Sequence, residues 1–180
     1  HHRYFQSEDD LRAERVGEPH GQTKGDADRE PFGNRKCVHF EAGLTGVGKT
    51  GIGTALLIHA ITAGHRGRFI TFPELIDNFN KSIAAHNEDR ILRYFARFEC
   101  LQIDELGYVD IEPAQVGLFF RLMSMRHRTK TTIVTTNLGF QEWGKFLKNQ
   151  QLTAALLDRL TENAHVINMR NCISIRPKGA

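Results

Sequence analysis

The stretch that decides the fold is Gly43-Leu44-Thr45-Gly46-Val47-Gly48-Lys49-Thr50. It fits the pattern G-x-x-x-x-G-K-[ST], in which glycines let backbone N–H groups turn inward around a polyphosphate. An apolar run at residues 37–40 precedes it and predicts a strand, whereas residues 49–63 predict a helix. The motif requires this strand and helix, so a chance match in a glycine-containing turn is the less favoured interpretation. We therefore predict a phosphate-binding loop whose eight residues all contact a nucleotide.

The last two residues of this loop carry distinct chemistry. Lys49 can reach the β- and γ-phosphates of ATP, and the Thr50 hydroxyl can ligate Mg²⁺. The helix that follows directs the positive end of its dipole at the same phosphates. Gly51 and Gly53 lie inside this helix, where each costs about 1 kcal/mol of helix propensity relative to alanine. We therefore expect the site to be softer than one built on better helix formers.

Apolar periodicity outward from the loop predicts alternating strands and helices. The predicted strands are residues 37–40, 68–72, 100–103, 131–136 and 165–169, and the predicted helices are 49–63, one opening at Pro73, 88–98, 113–126 and a helical region at 141–163. Strands separated by helices of this length indicate an α/β fold, a five-stranded parallel sheet sandwiched by helices. On the first helix, Gly64 predicts the end, and one face is predicted to carry Ile52, Ala55, Leu56, Ile58 and His59.

Composition limits the class of protein. The 180 residues, 40% of them hydrophobic, suffice for one domain with a core and hardly for two. Runs of roughly 18 apolar residues span a bilayer, and the sequence has none. Its opening residues are polar, which predicts no secretory signal. Three widely spaced cysteines lie in stretches that resemble strands, and we interpret Cys37, Cys100 and Cys172 as buried thiols of a reducing, cytoplasmic compartment.

Residues 1–35 differ from the remainder in patterning and charge. They follow neither the helical nor the strand period, and they carry six Lys/Arg against eight Asp/Glu. The chain totals of 24 and 21 leave 18 against 13 for residues 36–180, a net charge of +5. Because His1-His2 and Tyr4-Phe5-Gln6-Ser7 resemble a purification tag with a protease-site scar, we predict a disordered or tag-derived segment at 1–35 and a folded core at 36–180.

Two adjacent carboxylates, Asp104 and Glu105, end the predicted third strand. The carboxyl ends of parallel strands open onto the edge that presents the phosphate loop. Asp104 can then hold Mg²⁺, and Glu105 can orient or deprotonate the attacking water. An ordinary acidic strand end is the alternative. Asn137 follows the strand at 131–136, and it either hydrogen-bonds the water or the γ-phosphate or is a turn residue.

Four stretches together resemble a known family. They are Ile103-Asp104-Glu105-Leu106-Gly107-Tyr108, Thr136-Asn137, Phe140-Gln141-Glu142-Trp143-Gly144 and Ala154-Ala155-Leu156-Leu157-Asp158-Arg159-Leu160. Over about residues 36–176 the chain looks like the IstB family of AAA+ helper ATPases of insertion-sequence transposition, which are related to DnaC-type helicase loaders. The resemblance implies an AAA+ P-loop fold with little or no helical lid. It also implies hydrolysis of Mg·ATP, assembly as a homo-oligomer on DNA, and action on a transposase or replicative helicase.

The resemblance further implies that Asn137 is the sensor asparagine and Arg159 the arginine finger, which serves the site of a neighbouring subunit. From helix geometry alone, a salt bridge of Arg159 with Asp158 or Glu162 is an equally good interpretation.

Two clusters of basic residues are ambiguous. One lies on a single face of the helix at 88–98, and the other follows the helix at 113–126; they are Arg90, Arg93 and Arg97, and Arg126, His127, Arg128 and Lys130. Either could follow a single- or double-stranded DNA backbone, or simply face solvent.

Two further functions remain open. A P-loop kinase also needs a phosphate loop and Mg²⁺, but no segment suggests an acceptor pocket or lid. A nucleotide-gated DNA-binding module with negligible turnover has the same motifs as a slow ATPase.

Overall fold

The computed structural model describes residues 37–41, 46–162, 164–169 and 171–172. Its strands are β1 (Cys37–Glu41), β2 (Gly67–Thr71), β3 (Cys100–Leu106), β4 (Thr131–Thr136) and β5 (Ala164–Asn168). Its helices are α1 (Lys49–Thr62), α2 (Phe72–Ala84), α3 (Glu88–Ala96), α4 (Pro113–Arg126), α5 (Trp143–Leu147) and α6 (Gln150–Thr161), with a 3-10 turn at Phe140–Glu142. The predicted N-terminal segment 1–35 lies outside the described residues. So does most of the chain after β5, which the prediction about a helical lid concerns.

The strands form one parallel sheet. Their order is β2-β3-β4-β1-β5, and all four neighbouring pairs are parallel. This confirms the predicted five-stranded parallel sheet. Because every strand runs the same way, the carboxyl ends of β1, β3 and β4 lie along one edge, which we call the carboxyl edge. β1 ends at this edge, and the predicted phosphate loop follows it in the sequence.

Two hydrophobic clusters lie on opposite faces of the sheet. Cys100 belongs to the smaller cluster and Leu101 to the larger, as expected where successive side chains of a strand alternate. The smaller cluster joins α1 to the sheet and contains Val47, Leu57, Ala60, Cys100, Ile133 and Met169. The larger packs α2 to α6 on the other face, and its buried members include Phe72, Phe79, Leu92, Phe95, Phe119, Leu122, Trp143 and Leu156. Most of the core therefore lies on the face opposite α1.

The buried face of α1 differs from the predicted one. Its buried residues are Gly53, Leu57 and Ala60, whereas Ile52 and Ile58 are 43% and 58% exposed. The reason is a close approach of the helix to the sheet at Gly53. A Cβ there would lie 2.9 Å from Gln102 Nε2 and 3.3 Å from Ile133 Cγ2. The helix therefore packs against the sheet at Gly53, and the two isoleucines point away from the sheet.

The predicted helical region at 141–163 is interrupted. Lys148 has a left-handed φ of 53°, and the Asn149 side chain accepts a hydrogen bond from the Leu152 N–H at 3.0 Å. Asparagine in this position caps a new helix, so α6 starts separately from α5. Elsewhere the bounds of α4 and β4 agree with the predicted ones, and α1 ends just before Gly64, whose φ is +91°.

The cysteine prediction is confirmed at one position and wrong at another. Cys100 is buried, and desolvation raises the pKa of its thiol to about 11. Cys172 is exposed, because it lies beyond β5 rather than within the sheet. The side chain of Cys37 is not among those described. Within the described residues, every helix is too short or too polar to cross a bilayer.

Candidate functional site

The start of α1 has no side-chain cap. Gly46 and Gly48 have φ of +88° and +93°, a region that glycine enters without steric cost. Gly48 is the N-cap, it provides no side-chain hydrogen bond, and the first turn contains no acidic residue. The first N–H groups of a helix lack partners within the helix, and they carry the positive end of its dipole. This start therefore suits an anion. The loop residues Gly43, Leu44 and Thr45 lie outside the described residues.

Lys49 is the first residue of α1 and is half-buried. Desolvation lowers the pKa of its ammonium group, and the charge of Asp104 opposes this by raising it. An anion bound at the start of the helix would act in the same direction as Asp104. The predicted phosphate ligand therefore matches the electrostatics of the position.

Thr50 and Asp104 are in direct contact. The Thr50 hydroxyl donates to the Asp104 carboxylate, with Oγ1 3.1 Å from Oδ1 and 3.0 Å from Oδ2. Asp104 is buried, with 3% of its surface exposed. The structure thus brings together the two predicted metal ligands, which come from α1 and β3. Hydroxyl and carboxylate oxygens are the ligand types that Mg²⁺ prefers.

Glu105 lies in a β-bulge. The pairing of β3 with β4 passes from Ile103 opposite Val134 to Leu106 opposite Thr136, so β3 contains one extra residue. Glu105 has φ +60°, the left-handed region, and it is exposed at the carboxyl edge. Such a backbone conformation costs on the order of 1 kcal/mol for a non-glycine residue and occurs often at functional sites. The bulge thus separates a buried Asp104 from an exposed Glu105.

Thr135, a buried residue of β4, contacts both acids and was not among the predicted site residues. Its hydroxyl donates to Asp104 Oδ1 and accepts a hydrogen bond from the Glu105 N–H at 3.2 Å. Threonine is common in strands, so its presence in β4 was not informative by itself. The informative fact is that β4 pairs with β3, and this was not predicted from the sequence.

Asn137 follows β4 directly and is exposed at the same edge. The structure therefore places it on the side of the sheet that carries Asp104 and Glu105. Its role as a sensor stays a prediction.

Arg159 lies away from these residues. Its Nη1 donates to the Ala155 carbonyl at 2.8 Å, and its guanidinium is 4.7 Å from the centre of the Phe120 ring. Glu162, one of the two proposed intrahelical partners, instead contacts His127 at 2.9 Å and Arg128. The guanidinium is thus held by a carbonyl and an aromatic ring, an arrangement that was not predicted.

The position of Arg159 along α6 places it near the amino edge of the sheet. The His127 ring, which precedes β4, contacts the Arg159 carbonyl at 3.2 Å, and α6 ends just before β5 begins. A strand rises about 3.3 Å per residue. The amino and carboxyl edges of the sheet are therefore about 15 Å apart, the length of a five-residue strand such as β5. Arg159 is therefore remote from the Asp104 of its own chain.

The two basic clusters have different environments. Arg90 and Arg93 are exposed on α3, Arg97 is exposed directly after it, and the Arg97 guanidinium lies 4.6 Å from the centre of the Tyr94 ring. The interpretation of Arg126 as a surface cation is wrong, since it is 1% exposed. Its guanidinium donates to backbone carbonyls and a hydroxyl, namely those of Phe95, Phe98, Thr131 and Thr132. Arg126 therefore ties the end of α4 to the end of α3 and the start of β4, and it cannot contact DNA.

Comparison with known proteins agrees with this arrangement. Residues 35–179 match the family model of IstB-like ATP binding proteins. The chain belongs to this family. This IstB-like chain is 34% identical to a protein of insertion sequence IS21 from Pseudomonas aeruginosa, over 78% of this chain and 58% of that protein. It spans about half the length of the curated relatives it matches.

Solved structures of DnaI and of a helicase loader share the fold. The crystal structure of DnaI has a TM-score of 0.67 at 22% identity, covering 79% of this chain and 77% of that one. The DnaC helicase loader has a TM-score of 0.56 at 25% identity, covering 75% and 78%. The IstB-like chain therefore has the P-loop fold of the AAA+ type that the sequence predicts.

Proposed function

We propose that this IstB-like protein binds Mg·ATP at the carboxyl edge and hydrolyses it while assembled with further copies on DNA. The observation that carries the proposal is the Thr50–Asp104 contact beside the uncapped start of α1. It joins an anion-binding helix end to a pair of hard oxygen ligands, which is the combination a metal-bound polyphosphate needs.

The donor set fits Mg²⁺ held jointly with a nucleotide. Within the described residues, no group of three or more histidine, cysteine, aspartate or glutamate side chains could hold a metal by itself. Thr50 and Asp104 supply two oxygens, and Mg²⁺ in ATPase sites usually takes its remaining ligands from phosphates and water. When bound, the cation neutralises charge on the β- and γ-phosphates.

The remaining residues of the site have separate roles. Loop residues 43–48 direct N–H groups at the phosphates, and Lys49 places an ammonium group on the β- and γ-phosphates. Glu105 accepts a proton from the water whose oxygen attacks the γ-phosphorus, while the bond to the β–γ bridging oxygen breaks. Asn137 hydrogen-bonds that water or the γ-phosphate.

Arg159 acts on a neighbouring subunit. It is near the amino edge of the sheet, too far from Asp104 of its own chain for direct contact with the same nucleotide. A guanidinium presents a fixed fork of donors to a γ-phosphate, and fingers supplied in trans raise rates by roughly three to five decades. In the single chain it contacts Phe120 and the Ala155 carbonyl, so assembly must draw it away from both.

DNA contact is proposed for α3. Two exposed arginines on α3 and Arg97 directly after it lie on one face. The Arg97 guanidinium also packs over the Tyr94 ring. Phosphate contacts of this kind give salt-dependent binding with little sequence preference. The names of the relatives, an insertion-sequence protein and a helicase loader, support a transposase or a replicative helicase as the assisted partner.

The test is Glu105→Gln, with Asp110→Asn as the matched control on an exposed carboxylate of the loop that follows β3. We expect Glu105→Gln to bind ATP normally and to release phosphate roughly two to four decades more slowly, because only the proton acceptor is lost. The control should retain wild-type turnover. Rates are measured with and without single- and double-stranded DNA, beside a sizing measurement with ATP.

Equal phosphate release by Glu105→Gln and wild type would remove Glu105 as the base. A wild-type protein that binds ATP and DNA but releases no phosphate under any of these conditions would establish the nucleotide-gated binding module instead.

A further inference from the structure

We propose that Thr135 is a positioning residue that orients both carboxylates of the site, Asp104 through a direct hydrogen bond and Glu105 through its backbone. The inference rests on the proposed function, since it assumes that Asp104 holds Mg²⁺ and Glu105 the attacking water.

The direction of the Thr135 hydroxyl hydrogen follows from its two partners. A hydroxyl has one hydrogen to donate and two lone pairs to accept with. The Glu105 N–H occupies one lone pair at 3.2 Å, and a carboxylate oxygen of Asp104 has no hydrogen to offer when ionised. The Thr135 hydrogen therefore points at Asp104 Oδ1. Thr135 is only 2% exposed, so water does not compete for its hydroxyl group.

Asp104 is consequently held from two sides. Thr50 donates to it from α1, and Thr135 donates to it from β4. A carboxylate with a single hydroxyl partner could rotate about its Cβ–Cγ bond, whereas a second donor on Oδ1 fixes the plane of the group. Oδ2 is then the oxygen presented towards a cation that Thr50 also ligates.

Glu105 depends on Thr135 through the bulge. The extra residue of a bulge normally leaves a backbone group unpaired in the strand ladder. Here the Glu105 N–H finds its acceptor in the Thr135 hydroxyl, which ties the left-handed backbone at Glu105 to β4. Loss of the hydroxyl would free this backbone and with it the direction of the Glu105 side chain.

The chain contains a matched control one residue further on. Thr136 is also buried in β4, its hydroxyl donates to the Leu106 carbonyl at 2.7 Å, and it accepts from the Leu138 N–H at 3.0 Å. Thr135→Val and Thr136→Val therefore remove the same groups from neighbouring positions. Only the first removes contacts to Asp104 and Glu105.

The experiment measures binding of a non-hydrolysable fluorescent ATP analogue as Mg²⁺ is titrated, with phosphate release as a second readout. We expect Thr135→Val to raise the Mg²⁺ concentration for half-maximal enhancement of binding by roughly tenfold or more, as supporting contacts to metal ligands usually do. Binding in EDTA should be unchanged, and Thr135→Ser should restore the wild-type Mg²⁺ dependence. Thr136→Val should keep that dependence even where its stability falls as far as that of Thr135→Val.

Thr135→Cys keeps a similar volume with a weak donor, and it carries the same expectation if the valine variant does not fold. Equal Mg²⁺ dependence in the Thr135 variant and in Thr136→Val would overturn the inference and leave Thr135 as a structural residue. Failure of the proposed function looks different, because the wild-type protein would then show no Mg²⁺-dependent nucleotide binding at all.

Discussion

Helices α1 and α4 are both 14 residues long, yet they are anchored very differently. The start of α1 has no side-chain cap, and the helix buries three residues. In α4, which begins at Pro113, the Gln115 side chain accepts a hydrogen bond from the Glu112 N–H at 2.8 Å, and seven residues are buried. Caps and burial supply most helix stability in proteins. Of these two helices, the one that is less secured by the fold is therefore the one that begins at the proposed site.

The same contrast predicts how nucleotide affects stability. A ligand that binds only the folded state stabilises it, and here it would occupy the donors that no side chain caps. Changes at the start of α1 should therefore act mainly on binding, and changes in α4 mainly on folding.

The largest expected effect is that of Lys49→Ala. In the proposed site its ammonium group would make charge-assisted hydrogen bonds with two phosphates, each contributing about 1.5–3 kcal/mol, so affinity for ATP should fall by roughly two to four decades. Without nucleotide, the free energy of unfolding should change by no more than about 0.5 kcal/mol, because the side chain is only half-buried. Nucleotide titration and urea unfolding measure the two quantities. Unchanged affinity would contradict the site.

Arg126→Met should show the reverse pattern. The Phe95 and Phe98 carbonyls lose buried donors that now lie at 3.0 and 2.8 Å. Each unsatisfied group costs about 1–3 kcal/mol, so the free energy of unfolding should fall by about 3–5 kcal/mol. Arg121→Met, which removes an exposed ion pair with Asp89, is the control and should cost less than about 1 kcal/mol. A large loss of nucleotide affinity in the folded Arg126→Met protein would contradict the expectation that changes in α4 act mainly on folding.

Substitution by alanine should change the free energy of unfolding in opposite directions at two glycines of α1. Gly53→Ala forces a methyl group against Gln102 and Ile133 and should destabilise by about 1–3 kcal/mol. At Gly51 the added methyl meets nothing within 4 Å, so alanine there should stabilise by about 0.5–1 kcal/mol. Urea unfolding of both variants decides the matter. Destabilisation of equal size at both positions would show that the close approach at Gly53 is unimportant.

A small effect, confined to folding stability, is expected for Gln115→Ala. Its side chain accepts from the Glu112 N–H at 2.8 Å and so completes the capping box of α4. Loss of the cap should lower the free energy of unfolding by about 1 kcal/mol, with ATP affinity unchanged. Parallel urea and nucleotide titrations check both. A weakened nucleotide affinity would mean that the two helices are coupled across the sheet.

The features that the sequence predicts correctly depend on local pattern or on a general rule of parallel sheets. The loop motif with its strand and helix is local. The meeting of Thr50 with Asp104 follows because carboxyl ends of parallel strands share an edge. The bounds of α4 follow from Pro113 at its start and from the end of apolar periodicity at its other end.

The features that escaped prediction depend on neighbours distant in sequence. Strand order places Thr135 beside Asp104, and no local pattern encodes that order. The burial of Arg126 was unexpected because a cation at a helix end usually faces solvent. The buried face of α1 was missed because a glycine has no side chain to contribute to an apolar pattern, although Gly53 is the point of closest approach.

The bulge at Glu105 lets β3 hold one residue more than β4 without changing the faces of the residues beyond it. In an unbroken strand Leu106 would share a face with Gln102 and Asp104, yet it belongs to the larger cluster with Leu101 and Ile103. Ile103 and Leu106 pair with Val134 and Thr136, which lie two residues apart on β4, so a strand without Glu105 would be regular and would keep Leu106 on the same face. Replacing Glu105 by another amino acid alters one side chain, whereas deleting it would remove the bulge as well. In an evolving lineage, turnover at this site can therefore be lost by substitution or by deletion of this single residue, with the larger cluster intact.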